Sequence, residues 1–563
     1  MLQYGQMMPP LDKKTAASDS PSALIRNAPL LFILLLALGL RLWGIGWGLP
    51  NATRLFSYHP DESLVAGASL TINPFTFQFD PGFYNYGSLG LFLNSVAIHG
   101  GEFVGLVPPG PAPGVPSATA LLIARLMTAF LGVGTCGFLF GAGRRLYGPA
   151  AGIAAALFYA ITPLAVQHGH FATVDVPATF FVAGAIYFAV RHLEPSSCRP
   201  RDLLWCGLWS GFAAATKYNT GLVILAGLAA WWLAETRPAK SLLVLFCAAL
   251  LGFLVGCPAI LLNFKGTLGA ILYESVHART GHGDVFDATP PAFIYHAFFN
   301  LRWGLGWPLL IVAGVALGYA LYHRRPGDLL LLAFFLPFYA LMGLAQIKFA
   351  RYTLPLFPPL ALLVGGLVPW PVSDASTRKQ AGVVGGALAA AGAFALLFSL
   401  ALDSTMNGID PRDQAAAFIR QSGIQSVGFA TDPWFYAPPL NPLLALPNPE
   451  AARNSVTRFD TLPHLIAANN GNWNLAQLRE TKPDAVSLSE MNEYADAERA
   501  ELPEALAYIA AVRQDYPKET VFASPVQVFG IPFTNLSTAN GLPTQNLPHD
   551  MLYTNPTTII FTK

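Results

Sequence analysis

Stretches of about 20 uncharged, mostly apolar residues recur along this chain, and that length spans a bilayer as a helix. They fall near 28–48, 120–142, 150–167, 176–190, 203–216, 219–234, 241–262, 303–322, 328–345, 352–370 and 380–402. Eleven spans define a polytopic α-helical membrane protein. Composition agrees: 53% of the 563 residues are hydrophobic and 12% are charged. The net charge of +1 hides a division. Residues 1–402 hold 23 Lys and Arg against 15 Asp and Glu, whereas 403–563 hold 10 against 17, so two parts with different solvents are expected.

Basic residues also orient the chain. With the N-terminal tail, 1–27, in the cytoplasm, Lys13, Lys14 and Arg26 lie inside with the loops carrying Arg144, Arg145, Arg191, Arg199, Arg201, Arg237, Lys240, Arg324, Arg325, Arg378 and Lys379. The positive-inside rule asks for that distribution. Eleven crossings then export residues 403–563. One segment, Phe83 to Gly105, is apolar enough to cross but would invert every later loop. It is expected to be an interfacial or re-entrant helix within a long first outer loop, 49–119. The exported tail reads as a small α/β domain, with helices at RDQAAAFIRQSG and ERAELPEALAYIAAVRQ and strands at VGFA, AVSLS, PVQVFG and TTIIFTK. It carries no chemical motif. Neither a phosphate-binding glycine loop, a nucleophile elbow nor a nucleic-acid signature occurs in the chain. The five cysteines, all in the first part, offer no disulfide or zinc spacing.

Polar groups on the outward face carry what chemistry there is. SYHPDESLVAG sets Asp61 and Glu62 beside the membrane, where acids are costly and functional by default; a carboxylate there can take a hydroxyl proton, or it can cap a helix. Lys348 and Arg351 in QIKFARYTLP stand on the face that otherwise avoids positive charge, as phosphate ligands or as membrane anchors. Lys217, in the TKYN tip of a helical hairpin, needs a phosphate or carboxylate partner. Asp175 in HFATVDVP suits a helix start and a site role equally. His168 and His170 have metal-like spacing, a pattern commoner at interfaces than in metal sites.

Together with the acid pair, RLMTAFLGVGTCGFLFGAGRRLYG, HFATVDVPATFF, GFAAATKYNTG and KFARYTLPLFPPLALL resemble the GT-C glycosyltransferases. The likeness is to the bacterial branch related to protein O-mannosyltransferases and lipid A aminoarabinose transferases, and it covers most of 28–402. It implies a protein of the bacterial inner membrane that moves a sugar from a polyprenyl-phosphate donor to a hydroxyl of a protein, lipid or glycan at the outer face. Asp61 is then the base, with Glu62 or Asp175 orienting the acceptor; Lys348, Arg351 and Lys217 hold the donor phosphate, and Asp175 and His59 are further acceptor or metal candidates. A divalent cation, magnesium or manganese, stays open, because the first loop lacks a clear DxD. A lipid-linked oligosaccharide polymerase or ligase, and a transporter, are the alternatives, and nucleic acid is not a partner. The charge count makes one prediction independent of chemistry. A reporter fused after Lys563 should be active outside the cytoplasm, and a cytoplasmic signal would overturn the eleven-span orientation.

Overall fold

The computed structural model describes residues 23–111, 114–194, 200–369, 371–372, 374–431, 433–440, 465–466, 473–539 and 541–563. The chain opens with α1 (Ala23–Leu42), then two helices of the first long loop, α2 (Pro60–Thr71) and α3 (Ser88–Phe103). The bundle continues through α4 (Ala118–Tyr147), α5 (Pro149–Ile161), α6 (Pro163–Gln167), α7 (Asp175–His192), α8 (Pro200–Thr216), α9 (Ile224–Leu233) and α10 (Ala239–Gly256). After α11 (Ala259–Leu262) and α12 (Phe264–Thr280) come α13 (Ala292–Tyr295), α14 (Leu301–Leu305), α15 (Trp307–His323), α16 (Pro326–Gly343), α17 (Phe357–Gly365) and α18 (Ala375–Asn407). Each expected span falls on a helix or on consecutive helical pieces. Among the described residues four helical segments are long and apolar enough to cross a bilayer alone, and the α5–α6 pair, bent by 63°, is a fifth if it counts as one span. The protein is a multi-pass membrane protein.

Small residues let these helices approach. A Cβ on Gly207 would stand 2.3 Å from the Leu245 carbonyl oxygen, and one on Gly252 2.4 Å from that of Leu208, so α8 and α10 pack backbone to backbone. Such contacts replace the hydrophobic drive that lipid does not supply. In α4, the Ser117 hydroxyl accepts from the Ala120 amide at the start, and Gly148 ends the helix at φ 99. The chain turns there directly into α5.

Helix α3 lies across one end of the bundle. At its start Ser88 donates to the Gly256 carbonyl and Gly87 abuts Ala215, where α10 and α8 finish. Its far end, Gly101, meets Ile123 near the start of α4. Those three helix termini share one end of the bundle, so α3 does not cross it. Phe103, Val104 and Leu106 remain exposed, as an interfacial helix requires.

The tail differs from expectation in two ways. α18 runs five residues beyond the expected boundary at 402, joining bundle to tail without a break, and α19 (Pro411–Gln421) follows at once. The mixed sheet has the order β2-β1-β3-β9-β4, built from β1 (Val427–Phe429), β2 (Leu465–Ile466), β3 (Ala485–Ser489), β4 (Lys518–Phe522) and β9 (Thr558–Thr562). The sequence reading missed β4, whose charged, half-exposed KETVF lacks a buried apolar run. PVQVFG instead forms part of a small hairpin, β5 (Gln527–Val528) with β6 (Ile531–Pro532).

Three tail carboxyls are held against their nature. Burial pushes Glu493 up to about 7, and Glu490 and Asp496 to about 6. A folded carboxyl that binds its proton more tightly than the unfolded chain stabilises the fold fully below the ordinary carboxyl range, and that gain is lost as pH rises through the raised value. The thermal unfolding midpoint of the full chain in detergent should therefore fall between pH 5 and 8, and Glu493→Gln should flatten the slope. A midpoint rising over that window would refute the assignment.

Candidate functional site

Two clamps hold the segment that carries the acid pair. Glu62 is fully buried, and Arg125 grips it with Nε on Oε1 at 2.8 Å and Nη2 on Oε2 at 2.6 Å. The Ser57 hydroxyl and the Ala172 amide donate to the same carboxylate. Burial alone would raise this carboxyl; Arg125, His59 and Ser57 more than offset that and hold it below the usual range. On the other side the Tyr58 ring lies between two guanidinium groups, Arg54 and Arg412, each 3.6 Å from its centroid. The Tyr58 hydroxyl donates to Asp413 of α19 at 2.6 Å. His59 caps α2, its Nδ1 accepting from the Asp61 amide, and burial drives its imidazole well below the ordinary histidine range.

Between the clamps stands Asp61, 3.1 Å from Arg351 Nη2. The same guanidinium lies 3.5 Å from Asp550 and 3.9 Å from Asp175, and no further acid among the described residues stands within ion-pair distance. Its Nη1 also donates to the Tyr553 hydroxyl at 3.2 Å. Asp550 accepts the amides of Ala350 and Arg351 as well, at 2.9 and 2.8 Å. Asp175 is closed off by Lys217, whose ammonium donates to it at 2.6 Å. Of these three carboxylates Asp61 is the accessible one, 22% exposed against 4% for Asp175 and none for Asp550.

Lys348 faces elsewhere. Its ammonium donates to the Thr289 hydroxyl at 2.7 Å, and among the described residues it has no carboxylate within ion-pair distance. Burial, then nearby Arg499, lower it from the ordinary lysine range. Thr289 and Tyr295 line a cleft of about 700 Å³ between the loop before α13 and the tail, shared with His549, Leu552 and Arg499. Asp61 and Arg351 do not line that cleft. The Phe349 ring centroid lies 4.0 Å from the Arg351 guanidinium carbon and 5.7 Å from the ring of His549, which lines the cleft.

Sequence reasoning thus brought Asp61, Asp175, Lys217 and Arg351 together, while Glu62 and His59, expected beside Asp61 in the site, are enclosed in the protein. A helix turns about 100° per residue, so adjacent acids at its start face different ways. His168 and His170 also part: the first lies 3.8 Å from Asp550, the second 3.9 Å from Asp403. No group of three or more His, Cys, Asp or Glu among the described residues could hold a metal ion. The three carboxylates Asp61, Asp175 and Asp550 converge on the Arg351 guanidinium. Asp550 and Tyr553 were missed, because HDMLYT in the tail has no pattern that marks a site.

This bundle, with its acid-bearing first loop and appended sheet, is the fold of the GT-C glycosyltransferases, and the resemblance read from the sequence holds. The oligosaccharyltransferase of Archaeoglobus fulgidus shares the fold at a TM-score of 0.51 and 12% identity, over 94% of this chain and 78% of that one. The same archaeal enzyme, AglB, in complex with an inhibitory peptide and a dolichol-phosphate, gives 0.51 at 14% identity over 94% and 77%. ArnT from Cupriavidus metallidurans bound to undecaprenyl phosphate is similar over 91% of this chain and 100% of its own, at 14% identity and a TM-score of 0.48. Residues 119–262 match the family described as dolichyl-phosphate-mannose-protein mannosyltransferase. No curated protein sequence matches the chain.

Removing one partner of a buried ion pair strands a charge, at a cost of about 3 to 5 kcal/mol, whereas replacing both by apolar side chains is often neutral. Arg125→Met should accordingly lower the unfolding temperature sharply, and Arg125→Met with Glu62→Met should recover most of the loss. Equal losses in the single and double variants would show that the pair does not fix the loop.

Proposed function

We propose that the protein is an inverting glycosyltransferase that moves a sugar from a polyprenyl-phosphate donor to an acceptor hydroxyl at the outer face of the membrane. The observation that carries this reading is Asp61, a reachable carboxylate beside a guanidinium and backed by a rigid loop. Arg351 stands beside it without closing it off, and an accessible, positioned carboxylate is what a general base requires. As the acceptor oxygen attacks the anomeric carbon, its proton passes to Asp61, and the bond from that carbon to the phosphate oxygen breaks. The lipid phosphate leaves with the electron pair.

A leaving phosphate needs positive charge that is not already spent. Lys348 meets that need best, since Thr289 is its hydrogen-bond partner and no carboxylate pairs with it among the described residues. Arg351 and Lys217 are balanced by Asp61, Asp175 and Asp550, so their contribution to the phosphate is through the field they set up and the geometry they fix. Glu62 positions the loop. The cleft beside Lys348 falls within the usual range for ligand sites of about 300 to 1,000 Å³, and the polyprenyl-phosphate ligands of the archaeal and Cupriavidus proteins suit a donor of this class.

The test is a transfer assay with a prenyl-phosphate sugar and no energy source. Asp61→Asn keeps the shape of the side chain and removes its basicity, so it should still bind donor and lose turnover by about 100-fold or more. Lys348→Ala should raise the donor KM by about 10- to 150-fold, the equivalent of about 1.5 to 3 kcal/mol for a charged hydrogen bond, while Lys265→Ala should not. Near-normal turnover in Asp61→Asn at saturating donor would remove the base, and equal donor dependence at 348 and 265 would remove the phosphate contact.

A further inference from the structure

The β5–β6 hairpin exposes apolar side chains in an unfavourable backbone. Phe529 sits at its turn with φ 51, followed by Gly530 at φ 75. A bulky residue rarely adopts that region, and doing so costs free energy. The conformation throws its ring outward, 84% exposed, with Ile531 49% exposed beside it. Yet the next aromatic residue, Phe533, is firmly seated: it stacks on Phe398 of α18 at 5.2 Å and meets Phe394 at 5.3 Å. The hairpin is thus pinned to a membrane-spanning helix by its base and leaves its tip uncovered.

Depth along the bundle identifies what covers the tip. α18 has 33 residues and is about 50 Å long, well beyond a hydrocarbon core of about 30 Å. α15 is shorter, 17 residues or about 25 Å, and starts at Trp307. To span at all, α15 must place Trp307 at the hydrocarbon boundary, where tryptophans concentrate. Phe394 lies 5.9 Å from Trp307, and Phe398 lies 6.0 Å from Trp303. The hairpin therefore hangs at the boundary itself, while the last turns of α18 rise above it into the tail. Below this level Ile311 and Val315 continue the exposed apolar surface of α15. Exposed Arg302, over the Trp303 ring at 5.6 Å, stands where headgroup phosphates lie. A void of about 390 Å³ walled mainly by apolar side chains, among them Trp303, Trp307, Phe394, Leu397 and Phe533, opens beside the hairpin.

We infer that the β5–β6 hairpin is a membrane foot of the tail domain, with Phe529 and Ile531 inserted at the hydrocarbon boundary of the bilayer next to α15 and α18. Insertion removes the exposed ring from water and fixes the tail at a constant height over the bundle.

The experiment uses the full chain, lacking its five native cysteines, in phosphatidylcholine nanodiscs. An environment-sensitive fluorophore is attached at Phe529→Cys, at Ile531→Cys as a second variant, and at the exposed Glu504→Cys of the helix Pro503–Asp515 as control. Emission at 529 and 531 should be blue-shifted, quenched by lipids carrying a spin label near the headgroup, and several-fold less sensitive to aqueous iodide than at 504. Iodide quenching equal to that at 504 would overturn the proposal. Protection from iodide without quenching by lipid would overturn it too, since a protein contact would then cover the tip.

Discussion

One buried guanidinium ties three distant parts of the chain together. Arg351, 5% exposed, needs compensation, and receives it from Asp61 of the first loop, Asp175 at the start of α7 and Asp550 of the tail. A buried cation with a missing partner is strongly destabilising, so loop, bundle and tail are each required for the others to be placed. The tail is part of the site's construction. Part of its apolar core is continuous with that of the bundle, through Phe435, Met551 and Tyr553, while a second cluster around Tyr508 and Phe561 belongs to the tail alone.

The division of labour between Asp61 and Glu62 follows from helix geometry and charge. Both sit in the first turn of α2, where the helix dipole favours acids. Glu62 turns inward, and its charge is consumed by Arg125, a serine hydroxyl and a backbone amide. Asp61 turns toward the opening and keeps one strong partner. A loop that had to position a reactive carboxylate by itself would wander; here the neighbouring residues, Tyr58 and Glu62, carry the fixing contacts and leave Asp61 available. Preorganisation of this kind is what makes a single carboxylate effective, because the geometry is set before substrate arrives.

Several elements gather at one end of the bundle. α3 lies across it, α18 continues past it into the tail, and the β5–β6 hairpin packs back against α18 through Phe533. The carboxylates around Arg351 gather at that same end of the bundle, since Asp175 starts α7 and its partner Lys217 follows the end of α8.

Local chemistry made much of this legible. Spans are read from hydropathy because each helix in lipid must satisfy its own backbone and present apolar side chains, a property that every 20-residue window reveals alone. The helical bundle, the lateral α3, the strands at 427–429, 485–489 and 558–562, and the pairing need of Lys217 were therefore visible in the sequence. Which acid is spent and which is free was not, since adjacent residues on a helix look alike until Arg125 closes on one of them. Nor did the tail announce Asp550 or Tyr553, which stand about 200 residues from Arg351 along the chain and have no periodic or motif signal. The sequence determined where the chain could cross a membrane, because hydropathy is local; only the tertiary structure decided how its charges pair, because pairing depends on which remote segments share one buried space.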